Sequence, residues 1–143
     1  MIAELGSTNV HENVANWLKG VNDYDLAISV LTIREIRRGI EILRHRRPAA
    51  ATALDTHAAS MLVAFGGRVL PVTSAIADLW GRLLAERNKH VDDTGLAATA
   101  RVHGLVVVTR NVRDFAGRGV ATLDPYRRRP KIDMPAGGAA PAR

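Results

Sequence analysis

Residues 105–109, LVVVT, restrict the fold more than any other stretch. Four apolar residues in a row, three of them β-branched, leave no polar face. A strand of that kind is buried on both sides, as in a parallel sheet covered by helices. The flanking segments carry helical periods. One helix is expected to start with Asp92 or Asp93 as its cap and to end at His103-Gly104, a helix-stop signal. Residues 74–89 place Ile76, Leu79, Trp80, Leu83 and Leu84 on an inward face.

The same alternation runs through the first half. HENVANWLK, residues 11–19, puts Val14, Trp17 and Leu18 on one helical face, with Asn9 as a candidate cap. LAISVL, residues 26–31, reads as a buried strand. A helix opening at Thr32 and running to about Arg47 follows, with Ile33, Ile36, Ile40 and Leu43 on one face. Residues 49–65 form an Ala-rich helix closed by Gly66-Gly67. Short strands are expected at residues 68–72 and 120–123. Strands alternating with helices predict an α/β fold with a mainly parallel sheet.

Length and composition narrow the function. The 143 residues suit one domain, expected at residues 1–126. Residues 127–143 run from basic to Pro, Gly and Ala, a composition expected to be disordered. No cysteine is present, which excludes a thiolate metal site, a disulfide framework and a cysteine nucleophile. No apolar run reaches a membrane span and no signal pattern opens the chain, so a cytoplasmic protein with no membrane partner is expected. The formal charge is +6, but six basic and only two acidic side chains fall in residues 118–143. Net basicity is therefore weak evidence for a polyanion partner.

Three acidic residues stand out by position. Glu35 lies near the start of the helix after LAISVL, Asp93 at the start of the helix before LVVVT, and Asp114 just after that strand. In a parallel sheet, ligands gather at the carboxyl ends of strands. Clustered carboxylates repel unless a cation neutralises them, and oxygen donors without cysteine suit Mg²⁺ or Mn²⁺. Each residue also has a structural reading. Thr32-x-x-Glu35 matches a capping box, Asp92 and Asp93 suit a helix N-terminus, and Asp114 could cap a short turn. Spacing alone leaves both readings open.

A family resemblance bears on the choice. LAISVLTIREIRRGIE resembles the strand and Glu-x-Arg-x-Gly helix of PIN-domain proteins of the VapC toxin type, the ribonuclease half of bacterial toxin–antitoxin pairs. DTGLAATARVHGLVVVTRNVRDF resembles that family's Asp-x₃-Ala-x-Thr-Ala helix, strand and Thr-Arg-Asn-x-x-Asp-Phe segment. VLPVTSAIADLWGRL and VATLDPY also fit. The resemblance implies a PIN-like three-layer α/β/α fold and a metal-dependent endoribonuclease. Glu35, Asp93 and Asp114 would be its catalytic residues and its Mg²⁺ or Mn²⁺ ligands. Thr109 and Asn111 would orient a carboxylate or a ligand water. The partners implied are an RNA substrate, a cognate VapB-type antitoxin and a second copy in a homodimer. Arg37 and Arg38 would contact RNA or the antitoxin, or form a solvated face with Glu41. His57 and His90 read as surface positions, and His103 as a turn residue. Trp17 and Trp80 read as core or dimer contacts.

One departure stands out. The family opens with a strand ending in Asp-Thr-Asn, whose Asp is a metal ligand, and Met1 aligns just after it. Glu4 is a poor substitute for that ligand. The alternative is therefore a catalytically impaired PIN domain that still binds antitoxin or RNA. The expectation is that the native protein starts several residues upstream. Genomic DNA preceding the Met1 codon should then encode, in frame, a short apolar strand ending in Asp-Thr-Asn. A stop codon or unrelated sequence there refutes it.

Overall fold

A computed structural model describes residues 10–137. The chain forms two compact units, one ending at Pro71 and the other starting at Val72. The candidate cap Asn9 and Glu4 lie outside the described residues.

In the first unit, α1 (Glu12–Lys19) is capped by His11, whose ring accepts from the Asn13 amide at 3.2 Å. Val14 is its buried anchor. Strand β1 is only Ile28–Ser29, and the next helix, α2 (Val30–Arg46), begins earlier than Thr32. Ser29 is the cap, accepting from the Leu31 amide at 3.1 Å. Thr32 is buried inside the first turn, so the Thr32-x-x-Glu35 capping box does not form. The small hydroxyl at the strand end outcompetes it because it already faces the unpaired helical amides. Helix α3 (Pro48–Phe65) follows after one residue, with Pro48 in its first turn, where a missing amide hydrogen costs nothing. Strand β2 (Val69–Leu70) pairs parallel to β1, with Ile28 opposite Val69.

Helices α2 and α3 pack through Ile40, Ala51 and Ala58, with Ile36, Leu43 and Leu54 around them. Alanines on α3 allow the bulkier α2 side chains to seat against it. Across the same pair runs an ion-pair network. Arg37 makes a two-pronged bond to Asp55, at 2.8 and 3.0 Å, and a third to Glu41 at 3.3 Å. Arg44 bonds the same two carboxylates. Arg68 joins the far end of α3 to the preceding loop, donating to the carbonyls of Ala64, Asp23 and Leu26.

The second unit starts with α4 (Ser74–Glu86), capped by Thr73, and α5 (Val91–His103). They pack through Ile76, Leu83 and Ala98, with Val72, Leu79 and Trp80 around them. Strand β3 (Val107–Val108) pairs parallel to β4 (Thr122–Leu123). Beneath them Ala97, Ala100, Phe115 and Val120 form a second core. Beyond β4, the chain expected to be disordered from residue 127 turns back. Strand β5 (Ile132–Asp133) pairs antiparallel to β4. Arg127 reaches both Asp124 and Asp133, at 3.5 and 3.6 Å. The composition of residues 127–131 hid that return strand, which rests on β4 rather than on a core of its own. Strands β1, β2 and β3 are shorter than the apolar runs that contain them.

Arg44 and Arg37 hold the Glu41 and Asp55 carboxyls, respectively, below the usual carboxylate range, mainly through their hydrogen bonds. A depressed folded pKa contributes stability above the unfolded pKa and loses it as pH falls through the folded one. Asp55→Asn should therefore lower the melting temperature slightly at neutral pH. The gap to the parent chain should close as pH falls from about 5 to about 2 and shrink in about 1 M salt. A gap independent of pH sinks the assignment.

Candidate functional site

The second unit brings three ligand-bearing side chains together. One donor atom each from His90, Asp93 and Asp114 lies within 4.8 Å of the other two. A His90 ring nitrogen, Nδ1, is 3.8 Å from Asp93 Oδ2, and the other, Nε2, is 3.8 Å from Asp114 Oδ1. The three side chains are between 31% and 44% exposed, so the group is open to a solute from outside.

Each member is placed by local structure. Asp93 is in the first turn of α5, where the helix dipole favours negative charge. Neither it nor Asp92 is the cap. That position belongs to His90, which makes no side-chain capping bond. Asp93 is fixed instead by the buried run that follows, in which Thr94, Gly95 and all residues from 97 to 100 are buried. Asp114 sits in a short 3-10 turn (Val112–Phe115) after β3. Thr109 is buried, and its hydroxyl accepts from the Asn111 amide at 3.0 Å. The Asn111 carbonyl in turn accepts from the Asp114 amide at 3.0 Å. Phe115, 4% exposed, anchors the turn in the core.

His90 is the member the sequence did not single out. Its backbone is left-handed, with φ 50° and ψ 58°, and it is the only non-glycine with positive φ among the described residues. Such a conformation costs roughly 1–2 kcal/mol and persists only when the surroundings impose it. The surroundings are identifiable. Thr94, fully buried, shares its hydroxyl hydrogen between the His90 carbonyl at 2.8 Å and the Lys89 carbonyl at 3.2 Å. Trp80 donates its indole hydrogen to the Val91 carbonyl at 2.8 Å. Arg118, 2% exposed, donates to the carbonyls of Leu83, Arg87 and Lys89 at 2.8, 3.0 and 2.7 Å. The carbonyls of Arg87, Lys89 and His90 are thereby held by inward donors, which sets the backbone that carries the imidazole. The legible signal was the spacing: His90 is three residues before Asp93, on the same side of the helix start. A helix-start acidic pair drew attention away from it.

Of the other expected site residues, Glu35 is carried by the first unit on α2. It is exposed and pairs with Arg34 at 3.7 Å. It is not one of the three grouped side chains. The Arg37 fork is occupied by Asp55 and Glu41, whereas exposed Arg38 takes no part in that network.

Comparison with known proteins decides the family. A PIN domain profile matches residues 1–118. The chain belongs to the PIN domain family. Toxin FitB of Neisseria gonorrhoeae is 28% identical over 133 residues, spanning 88% of this chain and 94% of FitB. VapC ribonuclease Y4jK of Sinorhizobium fredii is 27% identical, spanning 88% and 93%. Among solved structures, FitAcB from Neisseria gonorrhoeae matches with a TM-score of 0.77 at 28% identity, covering 87% of this chain and 93% of that one. FitAB bound to an IR36 DNA fragment matches at 0.75 and 27%, covering 88% and 91%. The PIN-like α/β/α fold with parallel strand pairing, expected from the sequence, is the fold of this chain. No helix among the described residues is long and apolar enough to cross a membrane.

The donor set of this PIN domain fits a divalent cation. Two carboxylates and one imidazole, within reach of one another and partly open to solvent, can share one ion.

The clamp makes a stability prediction. Arg118→Met keeps the apolar stem but removes one donor from each of three carbonyls, which keep their other partners, the Arg87 and Lys89 amides and the Thr94 hydroxyl. Unfolding in urea should show a loss of about 3 kcal/mol. Arg118→Lys should recover only part, since one ammonium cannot match the planar fork. A loss under about 0.5 kcal/mol for Arg118→Met refutes the clamp.

Proposed function

We propose that this PIN chain is the ribonuclease toxin of a toxin–antitoxin pair, cutting RNA phosphodiester bonds and silenced by a cognate VapB-type antitoxin. The observation that carries the reading is the convergence of Asp93 and Asp114 on one ligand group. These are the two residues drawn from the more specific of the two sequence motifs. The likeness to FitB and to a VapC ribonuclease supports the activity class. The likeness to FitAB assemblies supports a partner chain. A homodimer and a cytoplasmic location belong to the same reading.

In this reading Asp93, Asp114 and Glu35 hold Mg²⁺ or Mn²⁺. When bound, the ion supplies an activated water and stabilises charge on the attacked phosphate. The chain's own residues do the positioning. The Thr109 hydroxyl and the Asn111 backbone do this for Asp114, because the Asn111 amide donates to that hydroxyl and the Asp114 amide donates to the Asn111 carbonyl. Asp93 is aligned by the buried face of α5. Arg37 serves the α2–α3 contact, which leaves Arg38 the better candidate for contact with RNA or antitoxin.

The test is cleavage of single-stranded RNA by the chain alone, with Mg²⁺, with Mn²⁺ and with EDTA, beside Asp93→Asn and Asp114→Asn. Cutting should require the ion and fall by roughly 100-fold or more in either variant. Cutting equal in all arms sinks the metal mechanism. Tight antitoxin binding without any cutting would instead support the impaired binding module.

A further inference from the structure

We infer that His90 supplies a nitrogen donor to the cation held by Asp93 and Asp114, and that this donor makes the site favour Mn²⁺ over Mg²⁺. The inference rests on the metal site proposed above and concerns which ion it selects.

Several observations converge. The 3.8 Å separations between the ring nitrogens and the two carboxylates are too long for hydrogen bonds. These two contacts use opposite nitrogens of the ring, only one of which can ligate a given ion, so the grouping rests on one donor atom from each side chain lying within 4.8 Å of the other two. The imidazole is also presented by a backbone that must be forced. His90 is left-handed, and the carbonyls around it are held by three donors, Arg118 on Lys89, the Thr94 hydroxyl on Lys89 and His90, and the Trp80 indole on Val91. Capping does not explain the arrangement, because the His90 side chain makes no capping bond. The imidazole is 44% exposed.

The chemistry sets the direction of the preference. Mg²⁺ is a hard ion that takes oxygen donors and keeps its waters. A neutral imidazole adds little to its binding. Mn²⁺ is the weakest of the first-row transition ions toward nitrogen donors but is softer than Mg²⁺, so the same ring adds more to Mn²⁺ binding than to Mg²⁺ binding.

The test uses the full chain loaded with Mn²⁺ and followed by electron paramagnetic resonance, with Mg²⁺ affinity read by competition. His90→Asn is the chosen variant because asparagine tolerates the left-handed backbone. The parent chain should show ¹⁴N modulation from a bound imidazole, and His90→Asn should lose it. Mn²⁺ affinity should fall about 10-fold in the variant, with Mg²⁺ affinity changed by less than about 2-fold. Asp93→Asn should abolish the signal, which excludes binding at the other histidines. Mn²⁺ binding that depends on Asp93 but shows no ¹⁴N modulation overturns the role of His90 and leaves the carboxylate site standing. No Asp93-dependent Mn²⁺ binding overturns both.

Discussion

A guanidinium group held 2% exposed, with no carboxylate bonded to it, must find its compensation in backbone dipoles. Arg118 does so at the end of α4, adding a charged donor to the carbonyls of Leu83, Arg87 and Lys89, which also accept from the Arg87 amide, the Lys89 amide and the Thr94 hydroxyl, respectively. The negative end of the α4 dipole favours a cation at that place. The insertion is possible because Gly117 and Gly119 flank the arginine at φ 75° and 66°. A side chain at Gly119 would also press on Arg101, which donates to the Arg118 carbonyl at 3.2 Å. The result is a single link joining α4, the following loop and the turn before β4. Its Nε has no partner, so the bonds of the two terminal nitrogens carry the whole load.

The grouping of His90, Asp93 and Asp114 follows from that link together with two others that do not depend on it. Small residues on α5 let it pack closely on α4 and above Phe115, and that packing sets the rotation of α5 and hence the direction of Asp93. The parallel pairing of β3 with β4 sets where the chain emerges at Thr109, whose amide bonds the Leu123 carbonyl at 2.9 Å. The Thr109–Asn111–Asp114 relay then sets Asp114. Rigid elements thus place the two carboxylates, and a clamped loop places the imidazole. A site built this way is preorganised toward its ligand, because little order remains to be imposed on binding.

How far the sequence disclosed this depends on the kind of physical signal involved. LVVVT was legible as a strand, but its burial on both faces was not borne out: Leu105 is exposed and Val107 and Val108 are only half-buried, because an apolar run does not say how completely its neighbours cover it. The helices of both units were legible from their apolar period. Strand lengths were not, since an apolar run states burial and says nothing of where pairing stops. Ser29 displaced Thr32 as a cap because capping turns on the backbone angle at one residue, which no spacing reveals. Strand β5 was hidden because its residues gain their order from β4 and carry no period of their own. His90 and Arg118 were missed for a shared reason. Each was sorted by its usual habit, one as surface and the other as part of a basic tail, whereas each is defined by partners distant in sequence.

Arginines in this chain show why a summed charge conceals function. Arg118 is buried on carbonyls, Arg37 and Arg44 are bound to Asp55 and Glu41, Arg127 is turned onto Asp124 and Asp133, and Arg110 lies over the Tyr126 ring at 5.0 Å. Those five carry formal positive charge, yet their donors are directed at the protein itself. The +6 of the sequence counts them equally with Arg38, Arg128 and Arg129, which are exposed and outside those networks. A phosphate backbone attracts net charge at long range, but its close contacts need unengaged donors. Under the proposed function, close contacts to the RNA backbone would therefore fall to a small exposed subset of the basic residues, which the summed charge does not reveal.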